Sequence, residues 1–336
     1  MREAVSLFSG SLSSSLSTEI AVSHCKVNRV ILLTFRSPFF GYYEEIKDIA
    51  NNLWPECQFR SKSIKRRTEC IASTEGVDSP EADSFCTRCR FALLKTGGEF
   101  LDRVGGDFLI SGERADLRGE YWAEKLAKIE RSAGVGDLVF RPLSPNMNNS
   151  LPERKGWITS DNDIDARKED SLQSLAEKLD LNSDSQYFGA GTRCKLTSPK
   201  YRRRLKDLVE EEDFNVNDLR LLDFRDYYKI PPDTKLVLAK NPEEKRELQN
   251  YFLPRDLRFY LPTHKGPMGL VRSDWDGKSE NALEEVVDLA ARVTVAKSEV
   301  DGQLSVPVNY RFEHDNETYT LEVPPLESRK LAELSL

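Results

Sequence analysis

The chain has 336 residues, 39% of them hydrophobic, with 49 Lys and Arg against 56 Asp and Glu. That length allows two domains with a buried core, and the net charge of −7 argues against indiscriminate nucleic-acid binding, leaving any such contact to a local patch. No apolar run nears the roughly 18 residues that cross a bilayer and no separate apolar signal segment precedes the first strand, so the expectation is a cytoplasmic protein without a membrane partner.

Ala4 to Phe8 reads as a buried strand, followed by Ser9-Gly10-Ser11-Leu12-Ser13-Ser14-Ser15 and an apolar helical run. Small residues let such a loop turn tightly, and the N–H groups at the helix start then face a phosphate or pyrophosphate. Val30 to Phe35 has the near-continuous apolarity of a doubly covered parallel strand. Helical spacing over Tyr42–Leu53 and Phe91–Val104, the latter closing at Gly105-Gly106, is followed by a short strand at Phe108–Ile110. The β-α-β rhythm predicts an α/β fold on a parallel sheet, its ligand site at the carboxyl ends of the strands. The opening loop, Thr34-Phe35-Arg36 and Ser111-Gly112-Glu113 all fall at such ends and are expected to share one crevice.

Residues 144–170 are loop-rich, and a helix is expected from Ser171 to Leu179. We place the domain boundary near residue 215, giving domains 1–215 and 216–336. Beyond it, strands are expected at Leu221–Phe224, Lys235–Ala239, Leu257–Leu261 and Gly269–Val271, with helices over Pro242–Phe252 and Ser279–Lys297. The second domain is thus a smaller α+β unit.

Of six cysteines, Cys25, Cys57 and Cys70 stand singly and read as buried small hydrophobes. Cys86 and Cys89 form a C-x-x-C, a pattern shared by zinc, redox and cluster sites. Arg88 and Arg90 flank it and would favour thiolate over thiol. Arg193, Lys195, Lys200, Arg202, Arg203, Arg204 and Lys206 form a basic run beside Cys194 without one acidic residue, which suits contact with a phosphate backbone. Arg60, Lys62, Lys65, Arg66 and Arg67 make a second, less specific cluster. His24, His264 and His314 show no ligand spacing and read as ordinary surface or core histidines.

The opening loop resembles the pyrophosphate loop of N-type ATP pyrophosphatases, Ser-Gly-Gly-(Leu/Val)-Asp-Ser, with Ser11 and Ser13 standing where a Gly and the Asp are usual. Taken with Phe35–Gly41, Cys86–Cys89, Ser111–Glu113, Arg141–Ser144, Pro152-Glu153, Gly156-Trp157, Gly189–Thr197 and Tyr201–Leu208, the chain resembles the MnmA-like proteins, relatives of the tRNA 2-thiouridine synthase within that superfamily. The C-terminal unit is similar to the small RNA-binding domain of NFACT proteins, through Leu236–Asn241, Asp256–Tyr260 and Gly266-Pro267.

The resemblance implies an ATP-dependent tRNA sulfurtransferase that adenylates a uridine C2 or C4 oxygen and lets a sulfur species displace AMP. It implies ATP and Mg²⁺ as cofactors, with Ser9, Gly10, Ser11, Ser13, Ser14, Phe35 and Gly112 at the nucleotide. Cys86, Cys89 and Cys194 are the implied catalytic trio, carrying either a persulfide or a [4Fe–4S] cluster. tRNA and a sulfur donor are the implied partners. Ser13 is a poor substitute for an anionic metal ligand, so Glu113 or Asp116 must take that role or ATP turnover is weak or lost. The bland reading of the serine cluster is a plain helix N-cap. Two other functions stay open: a non-catalytic RNA-binding protein on a degenerate loop, and a sulfur enzyme acting on a small molecule.

Overall fold

The computed structural model describes residues 2–64, 85–114, 120–144, 150–157, 171–181, 194–210, 214–300 and 304–336. In the first unit, Met1–Arg202, the elements run β1 (Glu3–Leu7), α1 (Leu12–His24), β2 (Arg29–Arg36), α2 (Tyr43–Leu53), β3 (Gln58–Ser63), α3 (Phe85–Val104), β4 (Phe108–Ser111), α4 (Glu120–Ser132), β5 (Val139–Phe140), α5 (Leu151–Arg154) and α6 (Leu172–Lys178). The five strands pair in parallel in the order β3-β2-β1-β4-β5. Strand alternation feeds two cores. Ala4, Leu32, Phe108 and Ile110 pack under α1 and α2 on one face, and Val5, Ile31, Leu33 and Leu109 meet Leu94, Leu101 and Ile129 on the other. Both faces are buried, which is why these strands read as unbroken apolar runs. The chain leaves β1 toward β2 on one side and returns at β4 on the other, so the strand order reverses at β1. In open α/β sheets that reversal places a ligand crevice at the strands' carboxyl ends.

The helix containing Cys86 and Cys89 starts earlier than its spacing predicts, at Phe85. Two elements escape the pattern altogether. β3 is a polar edge strand whose one large apolar residue is Phe59, and α4 is carried by Trp122, Leu126 and Ile129 at helical spacing.

α7 (Pro199–Val209) runs from the first unit into the second, Arg203–Leu336. There follow α8 (Val216–Leu221), β6 (Asp226–Ile230), β7 (Thr234–Ala239), α9 (Pro242–Gln249), β8 (Leu257–Tyr260), β9 (Met268–Arg272), α10 (Glu280–Ala296), β10 (Val306–Phe312), β11 (Tyr319–Val323) and α11 (Ser328–Leu334). Their six strands form an antiparallel sheet, β11-β10-β8-β9-β7-β6. Val286, Val287, Ala290 and Val293 of α10 pack on one face of it, against Leu236, Leu238, Phe259 and Val271. The strand expected at Leu221–Phe224 is instead the end of α8 and a turn. Asn215 accepts from the backbone N–H groups of Asn217 and Asp218, and Asp218 accepts from that of Asn215. This capping box starts a helix, and its local hydrogen bonds outweigh the strand propensity of the leucines. No helix among the described residues is long and apolar enough to cross a membrane.

Arg204 corrects one reading of the basic run. Its guanidinium is buried and donates to the carbonyl oxygens of Leu222 (2.9 Å), Phe224 (2.6 Å), Arg225 (3.0 Å) and Leu336 (2.8 Å). Four of its five N–H donors are taken and the side chain is buried, so it is a structural bridge and not a ligand for phosphate. Removing it strands several buried acceptors at about 1–3 kcal/mol each, so Arg204→Ala should lower the stability of the second unit, measured by denaturant titration, by about 3 kcal/mol or more. Arg203→Ala, on the exposed side of the same helix, should leave that stability within about 0.5 kcal/mol.

Candidate active site

A cavity of about 500 Å³ opens where the strand order reverses, and Ser9, Ser11, Ser13, Ser14, Thr34 and Phe35 line it together with Ser111, Gly112 and Glu113. Cys86, Cys89 and Cys194 line the same cavity. The loop after β1 turns through Gly10, whose φ of +70° is the left-handed region that favours glycine. Ser11 is the N-cap of α1, its Oγ accepting from the Ser14 N–H at 3.3 Å. Ser14 Oγ donates to the Ser11 carbonyl at 2.9 Å, and Ser9 Oγ lies 3.0 Å from Ser11 Oγ. The serines thus hold the turn themselves, and the N-terminal end of α1 faces the cavity. On the other side of the reversal, a Cβ on Gly112 would lie 2.6 Å from the Ser13 carbonyl oxygen and from Ser14 N and Cα. Glycine there lets the end of β4 press against the first turn of α1.

α3 carries Cys86 and Cys89 one turn apart, and Cys194 arrives on a separate segment. That segment is pinned by the Lys195 N–H, which donates to the Phe39 carbonyl at 3.1 Å, by buried Leu196, and by the Tyr201 ring set edge-on to Phe39. The Cys86 thiol donates toward the Leu196 carbonyl at 4.0 Å, tying α3 to the same segment. The Thr197 N–H donates to the Cys194 carbonyl at 3.0 Å, and the Leu196 and Thr197 amides lie near enough to the Cys194 thiol to favour its thiolate.

Electrostatics run against the expectation that flanking arginines make these thiols acidic. Burial pushes the Cys89 thiol far up, with the neighbouring Cys194 the next largest influence and Arg90 opposing more weakly. Burial also raises Cys194, against the lowering effect of the Leu196 and Thr197 amides. The arginines are committed elsewhere. Arg88 is buried with its guanidinium 5.2 Å from the centre of the Phe85 ring. Arg90 pairs with Glu113 and lies 4.7 Å over the Trp122 ring. Cys25, pushed up to about 12, and Cys57, to about 11, lie outside this cavity and fit their reading as packing residues.

Glu113 is the one carboxylate among the described residues lining the cavity, and the Arg90 guanidinium already neutralises it. Asp116 lies outside the described residues, as do Cys70, Lys65, Arg66, Arg67 and Arg193. Among the described residues no group of three or more His, Cys, Asp or Glu is arranged to hold a metal ion. Cys86 and Cys89 are carried by α3 and Cys194 by a separate segment, and all three line the one cavity. Of the basic run, Lys200, Arg202, Arg203 and Lys206 are exposed, and Lys195 Nζ lies 6.0 Å over the Tyr201 ring. Arg60 is exposed on β3, where Lys62 sits 5.6 Å over Phe100. His314 donates from Nδ1 to the Pro254 carbonyl at 2.7 Å, and His264 contacts Thr263. Sequence reasoning missed Trp122, which forms a wall of the cavity with Arg90, and the Trp122–Leu126–Ile129 spacing was the available signal.

Residues 227–334 match the profile of the NFACT protein RNA binding domain. No curated protein matches the chain. Among solved structures, the chain is similar to the U34-tRNA thiolase NcsA from Methanococcus maripaludis with its [4Fe–4S] cluster, at 17% identity and a TM-score of 0.33, covering 66% of this chain and 70% of that one. It is similar to a predicted subunit of tRNA methyltransferase from Methanocaldococcus jannaschii at 14% identity and a TM-score of 0.31, covering 57% and 95%. It is also similar to the C-terminal part of the fibronectin/fibrinogen-binding protein from Streptococcus suis at 13% identity and a TM-score of 0.30, covering 49% and 80%.

The direction of the thiol shifts is testable. A raised pKa keeps the thiol protonated at neutral pH, and the thiolate is the species that reacts. Iodoacetamide labelling of Cys194, followed by peptide mass spectrometry, should be slow at pH 7 and still be climbing at pH 9.0, the ordinary thiol value. A rate already at its plateau below pH 8 would mean that the amides and Arg90 outweigh burial.

Proposed function

We propose that this chain is an ATP-dependent thiolation enzyme acting on tRNA, with adenylation and sulfur transfer in the one cavity of the first unit. The observation that carries this reading is the single cavity shared by the N-terminal end of α1 and three thiols. A helix start binds phosphate through free N–H groups and its positive dipole end. The substrate's carbonyl oxygen attacks the α-phosphorus of ATP, pyrophosphate leaves, and the carbonyl carbon carries AMP as its leaving group. Backbone N–H groups of the Ser9–Ser14 turn hold the departing pyrophosphate.

Of the two sulfur routes, persulfide and [4Fe–4S] cluster, we take the persulfide, which needs only the thiols themselves. Cys194 is the carrier, being more exposed than Cys89 and having two backbone N–H groups near its sulfur. A persulfide donor passes its outer sulfur to Cys194 and keeps a thiol. That outer sulfur attacks the activated carbon, AMP departs with the former carbonyl oxygen, and the carbon is joined to Cys194 through a disulfide. Cys89, the thiol coupled to Cys194, loses its proton to solvent and attacks the Cys194 sulfur. The thiolated base is released, leaving a Cys89–Cys194 disulfide that an external thiol reductant restores. Mg²⁺ is not assigned a step, because the one carboxylate described in the cavity is already paired with Arg90.

That pairing, with Ser13 in place of a carboxylate, favours one rival: a protein that binds RNA and nucleotide without turnover. Pyrophosphate release and thiouridine content, measured with ATP, tRNA and a persulfide donor, separate the two. Cys194→Ser should abolish thiouridine while pyrophosphate release persists. Ser11→Gly with Ser13→Asp should raise pyrophosphate release at least severalfold. Neither wild type nor that double variant releasing pyrophosphate would sink the enzyme reading, and about four irons per chain in anaerobic protein would replace the persulfide by a cluster.

A further inference from the structure

The second unit holds a cavity of its own, about 700 Å³, lined by Lys240, Lys245, Arg258, Lys265, Lys297 and Arg311 with Glu299 as its one lining carboxylate. It lies beside β8 at the end of the sheet where α10 stops, since Lys297, Ser298 and Glu299 directly follow that helix. Phe259 of β8 and Tyr310 of β10 stack at 5.7 Å, and both belong to the core formed with α10. Alternation along the strands turns their neighbours Arg258, Tyr260 and Arg311 to the other face; these line the cavity with Pro267 and Met268, and Leu261, from the edge of the α10 core, closes it. Internal partners do not exhaust the charge. Asp226 accepts from Lys240 at 2.9 Å and faces Lys297 at 3.7 Å, while Glu313 takes Arg258 through two bonds. Lys245 donates to the Gly266 carbonyl, which leaves its charge unneutralised; Arg311 donates to the Asp315 carbonyl and faces Glu313 at 3.7 Å, so Arg258 and Arg311 share that one carboxylate. Six cations against Glu299, Asp226 and Glu313 leave three positive charges in excess, in a chain whose net charge is −7.

We infer that this basin seats a nucleotide of a single-stranded stretch of RNA, its phosphates on the rim of Lys245, Lys265 and Arg311 and its base against Tyr260, Leu261, Pro267 and Met268. A surface that only tracks a backbone needs no cavity, whereas about 700 Å³ lies within the roughly 300–1,000 Å³ of small-ligand sites. Cations that follow phosphates beside an aromatic that stacks a base are the parts of single-strand binding. The inference rests on the proposed RNA substrate for its partner, but its site is separate from the thiols and the serine turn.

The test uses the full chain and a short fluorescein-labelled single-stranded RNA, with affinity followed by anisotropy across a salt series. Lys265→Ala and Arg311→Ala should each weaken binding and flatten the log–log salt slope by about 0.7 for each phosphate no longer neutralised. Tyr260→Leu should weaken binding about tenfold, within the stacking range, with the slope unchanged, and the duplex form of the same RNA should bind less tightly. Lys265 is exposed, so Lys265→Glu serves as a variant whose folding is not in question, and it should weaken binding more than the Ala change. Cys194→Ser should bind this RNA as wild type does, even if thiolation fails altogether. Unchanged affinity and slope in the Lys265 and Arg311 variants would overturn the site. Equal binding of duplex, together with a neutral Tyr260→Leu, would overturn the seated base, and AMP or inorganic phosphate displacing the RNA at equal molar potency would assign the basin to a free phosphate instead.

Discussion

No side chain fits between the end of β4 and the first turn of α1. The position a Cβ would take on Gly112 is 2.6 Å from three backbone atoms of Ser13 and Ser14, closer than packed atoms approach. That close approach fixes where α1 begins relative to the sheet. The N-terminal N–H groups of the helix therefore look across the point where the strand order reverses. The rest of the cavity follows, because α3 packs beside β1 and β4 and brings Cys86 and Cys89 to the same opening. The Phe39–Lys195 bond then supplies Cys194 from a distant part of the sequence.

Within that cavity burial outweighs local charge. Two arginines flank the C-x-x-C in sequence, yet one is folded against an aromatic ring and the other is held by Glu113, so neither offsets the loss of water around Cys89. A buried thiol stays neutral and inert until something nearby favours its thiolate. At Cys194 a pair of backbone amides, supplied by the 3₁₀ turn of Lys195–Thr197, opposes burial without overcoming it. The Arg90–Glu113 pair has the complementary consequence. It stores a guanidinium and a carboxylate side by side at the cavity wall.

The parallel sheet was legible because β1, β2 and β4 are covered on both faces and must be apolar throughout. β3 was not, since an edge strand can be polar at nearly every position. The loop, the C-x-x-C and the third cysteine were legible as motifs, but the sign of their electrostatics was not, because burial is a property of the folded neighbours. Arg202, Arg203 and Arg204 look alike as a run. Helical phase separates them: Arg204 lies three residues after Tyr201 and four before Leu208, both buried, and so turns inward. That periodicity was present in the sequence and charge counting overlooked it. Leu221–Phe224 erred the other way, where the capping box at Asn215 decided the matter over strand-forming side chains.

Charge in this chain acts by position and by what already neutralises it. α7 is dense in cations, yet one of its arginines is consumed by four carbonyl groups. The basin beside β8 gathers six cations scattered along the sequence, from α9 and the loop before it, the strands, the loop before β9 and the end of α10, and keeps an excess after its ion pairs are counted. Exposed, separated cations on a helix each release counterions independently and contribute to association rate and salt dependence. Cations gathered around a cavity with an apolar floor add a preference for what fills it. On the proposed RNA reading the two arrangements would do different work on the same polyanion, long-range attraction in one case and seating of a nucleotide in the other, which an acidic chain can combine without binding nucleic acid indiscriminately.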